Sequence, residues 1–340
     1  MRVRFWGVRG SCPAPTPSGE LKKRLAQVLR LYVSQQASGR PPFDISDEAA
    51  LEAWLDALPP TVSSFVGSNT SCLEFLPFGG AHEGEAGEEG PLFIIDMGSG
   101  LRPLGNALMR REFGRGAGRA RIFLSHYHWD HVQGFPFFKP AYVPGNRLDI
   151  HTRHAHLKSR LRRQQEAPFF PPASWESMGA DIQFHQMDNT PEVLDGVRIT
   201  SLKLDHPSRS YAYRFECEGK VFVYASDGAY QDLDDVSIQP FVQFYQDADV
   251  LIFDAQFSLS ESFEKRSWGH SSAIIGLELA CQARVKKMVL FHHDPDADDD
   301  WLHHLLETAR DYAAHTPAAV RRRRQQVEML IAREGQVLDF

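Results

Sequence analysis

The stretch FLSHYHWDHVQGFPFF, residues 123–138, places His126, His128, Asp130 and His131 within six positions, directly after the apolar run ARIFL. Imidazoles and a carboxylate crowded at the end of a buried strand raise one another's desolvation and charge costs unless a cation offsets them. Neutral imidazole nitrogen and carboxylate oxygen are ligands for zinc, manganese or iron, and the cluster contains no thiolate. In this HxHxDH pattern His126 and His128 can leave the strand end pointing the same way, with Asp130 and His131 on the next stretch of backbone. That spacing suits two neighbouring ions better than one. Further donors close other strand-like runs: His206 in LKLDHPSRSYAYRF, Asp227 in VFVYASDGAY, and the adjacent His292 and His293 in KKMVLFHHDP. Strands that end in ligands fix the donors while the loops leave room for a substrate.

The elements that must position these residues are short and mixed. VRFWGV, SCLEFLPF, PLFIID, ARIFLS, VRITSLKL, YAYRFEC, KVFVYAS and VLIFDA are β-branched or aromatic runs bounded by Gly, Pro, Asp or Ser. GSGLRPLGNALMRREF, SAIIGLELACQARV and DDWLHHLLETARDYAAH carry helical periodicity. Strands in two batches with helices between them point to a layered α/β protein. The 340 residues, 42% of them hydrophobic, suffice for one large domain, and a net charge of −7 offers no global basic field for nucleic acid. No apolar run is long enough to span a bilayer, and MRVRFWGVRG lacks a signal-peptide core, so a cytoplasmic protein is expected. Cys12, Cys72, Cys217 and Cys281 are scattered, which argues against a thiolate zinc site and a disulfide framework. Residues 15–62 read as an insertion of two amphipathic helices, and about 151–180 as a basic and aromatic insertion. Residues 80–90, GAHEGEAGEEG with its leading Gly, read as a hairpin tip.

Together these segments resemble the metallo-β-lactamase-fold hydrolases, in the branch of ribonuclease Z-like and cyclic-phosphate phosphodiesterases. The resemblance covers most of the chain: VRFWGVRGSCPAP, GSNTSCLEF, FIIDMGSGLRPLG, FLSHYHWDHVQGFPFF, LDHPSRSYAYRFE, YASDGAY, GHSSA, LFHHDP and the terminal IAREGQVLDF. It implies a four-layer αββα fold, two packed mixed sheets flanked by helices, as one domain over residues 1–340. It also implies two divalent metal ions, zinc ahead of manganese or iron. One would be held by His126, His128 and His206, the other by Asp130, His131 and His292, with Asp227 bridging both. His292 is preferred to His293 because the family's ligand directly follows the strand, as in LFH here. Asp96 in IIDMGSG is matched to a carboxylate that orients the metal loop. His270 in SWGHSSA, ahead of a helix pattern starting at Ser271, is matched to a histidine near the scissile phosphate and becomes the leaving-group donor. Asp130 counts among the catalytic residues as well as the ligands.

Two such cations share a hydroxide, lower the pKa of its parent water towards neutrality, and clamp a phosphoryl oxygen in the transition state. The expected reaction is hydrolysis of small cyclic or linear nucleotide-type phosphodiesters. DHPSRSYAYRF resembles the phosphodiesterase-type third motif, the lactamase branch lacks GHSSA, and the bridging residue is Asp227 where zinc β-lactamases use a cysteine. Only twenty residues separate His206 from Asp227, which leaves no room there for the substrate arm of ribonuclease Z. The cysteine-rich zinc site of the phosphoribosyl cyclic phosphate phosphodiesterases is also lacking. A thioester, carboxylic-ester or lactam hydrolase on the same metals is the enzymatic alternative, and a non-catalytic metal- or nucleotide-binding module the other. Arg153, Lys158, Arg160, Arg162 and Arg163 would attract anions, with Phe169–Phe170 free to stack on a base; a solvated helix followed by a packed loop is the plainer reading. RRRR at 321–324 reads as a surface face. The expected partner is a small phosphodiester, with no membrane and no stable nucleic-acid partner. Homo-oligomerisation stays open.

Overall fold

RVRFWG alternates polar and apolar residues, and in the computed structural model it forms β1 (Arg2–Gly7) with Val3, Phe5 and Gly7 buried. The structure describes residues 1–37, 43–79, 91–168, 175–315, 324 and 326–340. Among them, β1 is followed by β2 (Cys72–Leu76), β3 (Leu92–Ile95), β4 (Arg119–Leu124), β5 (Arg147–Thr152) and β6 (Asp181–Gln186). Then come β7 (Glu192–Leu194), β8 (Val197–Lys203), β9 (Tyr211–Cys217), β10 (Lys220–Ala225), β11 (Val250–Asp254), β12 (Lys287–Phe291), β13 (Glu328–Ile331) and β14 (Val337–Asp339). They assemble into two seven-stranded sheets, β14-β1-β2-β3-β4-β5-β6 and β13-β12-β11-β10-β9-β8-β7.

Each sheet changes from antiparallel to parallel part-way across. β3 to β6 run parallel in the first sheet, and β10 to β13 in the second. Parallel strands bring their carboxyl ends to one edge, where open α/β sheets present their ligand-binding loops. The two sheets face each other through aromatic rings. Phe75 of β2 lies 5.2 Å from Phe215 of β9 and 4.7 Å from Phe222 of β10, and Phe123 of β4 lies 5.7 Å from Tyr213 of β9. Fully burying each such ring contributes about 2–3 kcal/mol, so this layer fixes how the two edges meet.

The helical segment between β1 and β2 holds α1 (Ser18–Ala37), α2 (Glu48–Asp56) and α3 (Pro60–Ser63). Tyr32, Phe43 and Trp54 hold α1 against α2, and Trp54 Nε1 donates to Gln35 Oε1 at 2.7 Å. Buried Arg24 anchors the pair to the body, 2.8 Å from Asp299 and donating to the Ser64 carbonyl. Next in order are α4 (Leu101–Leu108), α5 (Trp129–Val132), α6 (Leu157–Gln164), α7 (Asp235–Tyr245), α8 (Leu259–Glu264), α9 (Ala273–Gln282) and α10 (Asp299–Ala314). Leu101, Leu104 and Leu108 of α4 pack with Ile94, Ile122 and Leu148 of the first sheet, while α9 and α10 pack with the second. The stretch 151–180 contains the end of β5 and α6, the connection between parallel β5 and β6. Phe169–Phe170, the glycine- and glutamate-rich stretch 80–90 and residues 321–323 lie outside the described residues. Arg324 pairs with Glu278 at 2.5 Å. The four cysteines form no disulfide, and no described helix is long and apolar enough to cross a membrane.

One buried histidine gives the fold an acid limit. His151 at the end of β5 is stacked between Phe123 at 5.1 Å and His185 at 4.6 Å, and neither of its ring nitrogens meets a hydrogen-bond partner. Burial, aided by His185 and Arg121, pushes its pKa down to about 3. An unfolded histidine takes its proton near pH ~6.5, so between there and pH ~3 the unfolded chain binds more protons and stability falls as pH falls. His151→Phe should therefore gain on the wild type by about 2 kcal/mol when urea midpoints are compared at pH 8 and pH 5. A difference that stays flat over that range would remove His151 as a source of acid sensitivity.

Candidate metal centre

The donors are carried by the carboxyl ends of the strands. His126 and His128 follow β4, with Asp130 and His131 on the single turn α5. Asp227 follows β10, His292 follows β12 and His206 follows the antiparallel β8. The fold brings them together in overlapping groups whose donor atoms all lie within 4.8 Å of one another: His126, His128, His206 and Asp227, and Asp130, His131, Asp227 and His292. Asp227 belongs to both. A third group joins Asp227 and His292 to Asp254 and His270. His293 points elsewhere: its Nε2 lies 3.0 Å from the Ala332 carbonyl, and burial pushes its pKa down to about 3.

The ring nitrogens facing away from the cluster decide what the others present. His131 Nδ1 lies 2.7 Å from Asp96 Oδ2, His206 Nδ1 2.9 Å from the Gly269 carbonyl, and His292 Nδ1 3.0 Å from Gln256 Oε1. His126 Nδ1 lies 3.1 Å from Ser125 Oγ, which itself donates to Asp96 at 2.8 Å. Each of these partners accepts, so each Nδ1 carries a proton. Each ring turns its Nε2 inward, to present a lone pair to a cation or, in the absence of one, to hold a second proton. There His131 Nε2 meets His292 Nε2 at 3.3 Å, Asp130 Oδ2 at 3.1 Å and Asp227 Oδ2 at 3.2 Å. His292 Nε2 is 3.0 Å from Asp130 and 3.1 Å from Asp227. The buried His126 Nε2 meets no hydrogen-bond partner and lies 3.7 Å from Asp227 Oδ1. His128 offers Nδ1 instead, 3.0 Å from His206 Nε2.

Acceptors converging on acceptors in a buried space call for positive charge. The titration behaviour points the same way. Burial works against a charged His131, yet Asp227, Asp130 and Asp96 together raise it well above the usual imidazole value, and His292 is raised to about 9 against the same penalty, chiefly by Asp227. Asp130 and Asp227 are held well below the carboxylate range, despite burial, by His131 and its neighbours. Burial lowers His126, His128 and His206, which keeps those rings neutral. Nitrogen and oxygen donors in this arrangement fit divalent cations of the zinc, manganese or iron type.

Asp96 was expected to orient the metal loop, whereas Ser125, Tyr224, Gln256 and Asp254 were not picked out from the sequence. Asp96 accepts from Ser125 N, Ser125 Oγ, His131 Nδ1 and the Tyr224 hydroxyl, so it holds two histidines of the first sheet and touches the second. Asp254 accepts from the Asp227 amide at 3.1 Å and from His270 Nδ1 at 2.7 Å. It closes the run VLIFD, the same strand-end signal that marked Asp227. His270 stacks 4.9 Å from His292, and α9 begins two residues later than the pattern indicated, at Ala273, because the Ser272 hydroxyl accepts from Ile275 N. The basic block is largely engaged. Arg153 binds Asn189 Oδ1 at 2.6 Å, Arg162 pairs with Glu176 at 2.7 Å, and Arg160 lies over Tyr127.

Close backbone approach seats the outer ligand. A Cβ on Gly10 would come within 2.4 Å of the His292 ring. Gly10→Ala should therefore push His292 aside and weaken divalent-metal affinity by about tenfold or more, as loss of a ligand's support does. Calorimetric titration of zinc into wild type and variant would check it. Unchanged affinity would mean that the ring has room to move without cost.

A family profile described as beta-lactamase superfamily domain matches residues 94–293, from β3 through the strand end that carries His292. A Bacillus subtilis relative, described as "Probable metallo-hydrolase YhfI", is 25% identical over 217 residues, 63% of this chain and 83% of that protein. A ribonuclease Z of Halobacterium salinarum is 25% identical over 252 residues, 60% of this chain and 78% of that one. The crystal structure of YhfI superposes with a TM-score of 0.58 at 18% identity, covering 99% of this chain and 98% of that one. A diphosphatase of the PhnP family superposes at 0.54 and 17%, covering 100% and 97%. These likenesses bear out the expected two-sheet fold, and since the family profile spans more than half of the sequence, the chain belongs to the beta-lactamase superfamily, in its metallo-hydrolase form.

Proposed function

We propose that the protein is a two-metal phosphodiesterase acting on small cyclic or linear nucleotide-type diesters. The observation that carries this reading is the position of Asp227, shared between two groups of inward-turned donors. One metal would take His126, His128 and His206, the other Asp130, His131 and His292, with Asp227 common to both. When bound, such ions supply Lewis acidity towards a phosphoryl oxygen and acidity to water at neutral pH. The names of two relatives, a ribonuclease and a diphosphatase, agree with phosphorus–oxygen chemistry.

The chain's own residues supply what remains. Asp96 and Ser125 keep the first-sheet histidines in the tautomer that turns Nε2 inward. Asp254 ties down Nδ1 of His270, leaving Nε2 to serve the departing alkoxide. Asp254 also binds the Asp227 amide, so the donor keeps its distance from the shared ligand.

Protein loaded separately with zinc and with manganese should hydrolyse bis(4-nitrophenyl) phosphate, and Asp227→Ala should lose metal and turnover together. No turnover with both sites filled would sink the phosphodiesterase reading and favour a thioester or lactam substrate. His270→Ala should retain metal and lose roughly 10²–10⁴ in kcat, most severely where the leaving group is poor. Wild-type activity of that variant on a nucleotide diester would refute the role given to His270.

A further inference from the structure

Burial locates the mouth of the centre. Six of the seven proposed ligands are buried, and His128 alone is half-exposed. Solvent and substrate therefore reach the donors at the His128–His206 side, where the two rings meet. Two tryptophans border that side. Trp129 directly follows His128 and is 65% exposed; Trp268 is 61% exposed and directly precedes Gly269, whose carbonyl receives His206 Nδ1. The joint is tight, for a Cβ on Gly269 would fall 2.4 Å from that same nitrogen, so Trp268 is held one peptide away from the His206 ring. Folding ordinarily hides large flat rings of this kind, and here both stay in water, one peptide from His128 and one from the Gly269 that seats His206.

Their surroundings narrow the choice of ligand. Lys265 lies over Phe257 at 4.5 Å and 5.8 Å from the Trp268 ring, while also bonding Glu261 at 3.2 Å. Phe257 in turn stands edge-on to His270 at 5.7 Å. Arg160 lies 4.5 Å over Tyr127, the residue between His126 and His128. Aromatic faces with cations beside them suit a ligand that carries a flat ring close to a negative charge.

We propose that Trp129 and Trp268 are the specificity-determining residues of this site and stack on a nucleobase attached next to the phosphate. The inference rests on the phosphodiester reading above and adds which part of the substrate is recognised, and by what.

AMP and ribose 5-phosphate, which differ by the base, separate the two claims. Calorimetric titration into the zinc-loaded full chain should show AMP binding at least about tenfold more tightly, the range of one base-stacking contact, with quenching of tryptophan fluorescence. Trp129→Ala and Trp268→Ala should each weaken AMP severalfold and leave ribose 5-phosphate unchanged, and Trp129→Phe and Trp268→Phe should restore most of the difference. On a nucleotide diester the alanine variants should raise KM with little change in kcat. Equal affinities of AMP and ribose 5-phosphate for the wild type would overturn the stacking pair while leaving phosphodiester hydrolysis intact. Failure of both ligands to bind, in protein that still turns over bis(4-nitrophenyl) phosphate, would likewise overturn it.

Discussion

Lone pairs held three ångströms from other lone pairs inside a protein repel unless positive charge lies on them or between them. The arrangement around Asp227 depends on that constraint. His131, His292, Asp130 and Asp227 approach within 3.0–3.3 Å, and each of the two imidazoles has its other nitrogen tied to an acceptor. The acceptors come from both sheets and from the loop before α9, so the donors converge only when the sheets are packed face to face. Asp96 makes the dependence explicit: it orients His131 and Ser125 of its own sheet and receives the Tyr224 hydroxyl from the other. The phenylalanine layer is therefore part of the site, because it sets the separation across which this carboxylate reaches.

The chain meets the constraint with unusual backbone. Asp96, Asp227 and His292 each follow a parallel strand by one or two residues, and all three adopt left-handed φ, at 60°, 60° and 59°. Non-glycine residues avoid this region, at a cost of about 1 kcal/mol or more each. Here it turns a side chain back over the strand end instead of continuing along it. Neighbours over-determine each turn. The Asp96 amide donates to the Phe123 carbonyl, the Asp227 amide to Asp254, and the amide after His292 to the Val8 carbonyl. Such strain is tolerable where the element is otherwise pinned on both sides, as central parallel strands are.

Much of this could be read from residue order alone. HxHxDH after ARIFL, and donors closing later apolar runs, marked eight positions, of which the family resemblance preferred His292 to His293; the fold gathers the remaining seven into two groups around Asp227. Five strands escaped notice, β5, β6, β7, β13 and β14, and the first two are the most telling. RLDIHT and DIQFHQ carry charges and histidines where a core strand carries Val or Ile, because β6 is an edge and the outer end of β5 is stacked rather than packed in aliphatic side chains. What stood as a basic insertion is thus in part the ordinary connection between parallel strands. Asp254 was missed for another reason: an aspartate after a strand is usually a turn residue, and nothing in a linear sequence says that His270 will lie 2.7 Å from it. Partnerships between strand ends distant in sequence are properties of sheet order, which local patterns do not encode.

Sheet order also explains why one carboxylate serves two masters. β10 and β11 are adjacent and parallel, so Asp254 at the end of β11 lies beside Asp227 at the end of β10 and can accept its amide. The same strand end faces the loop before α9, which brings His270 Nδ1 to the same oxygen, Oδ2. In the proposed reaction, the ligand shared by both metals and the group that protonates the leaving alkoxide are then fixed to a common atom. Neither can drift without the other. A diester hydrolase needs that coupling, since the attacking side and the leaving side of one phosphorus must be served within a single geometry. A module retained only to bind a metal would gain nothing from it.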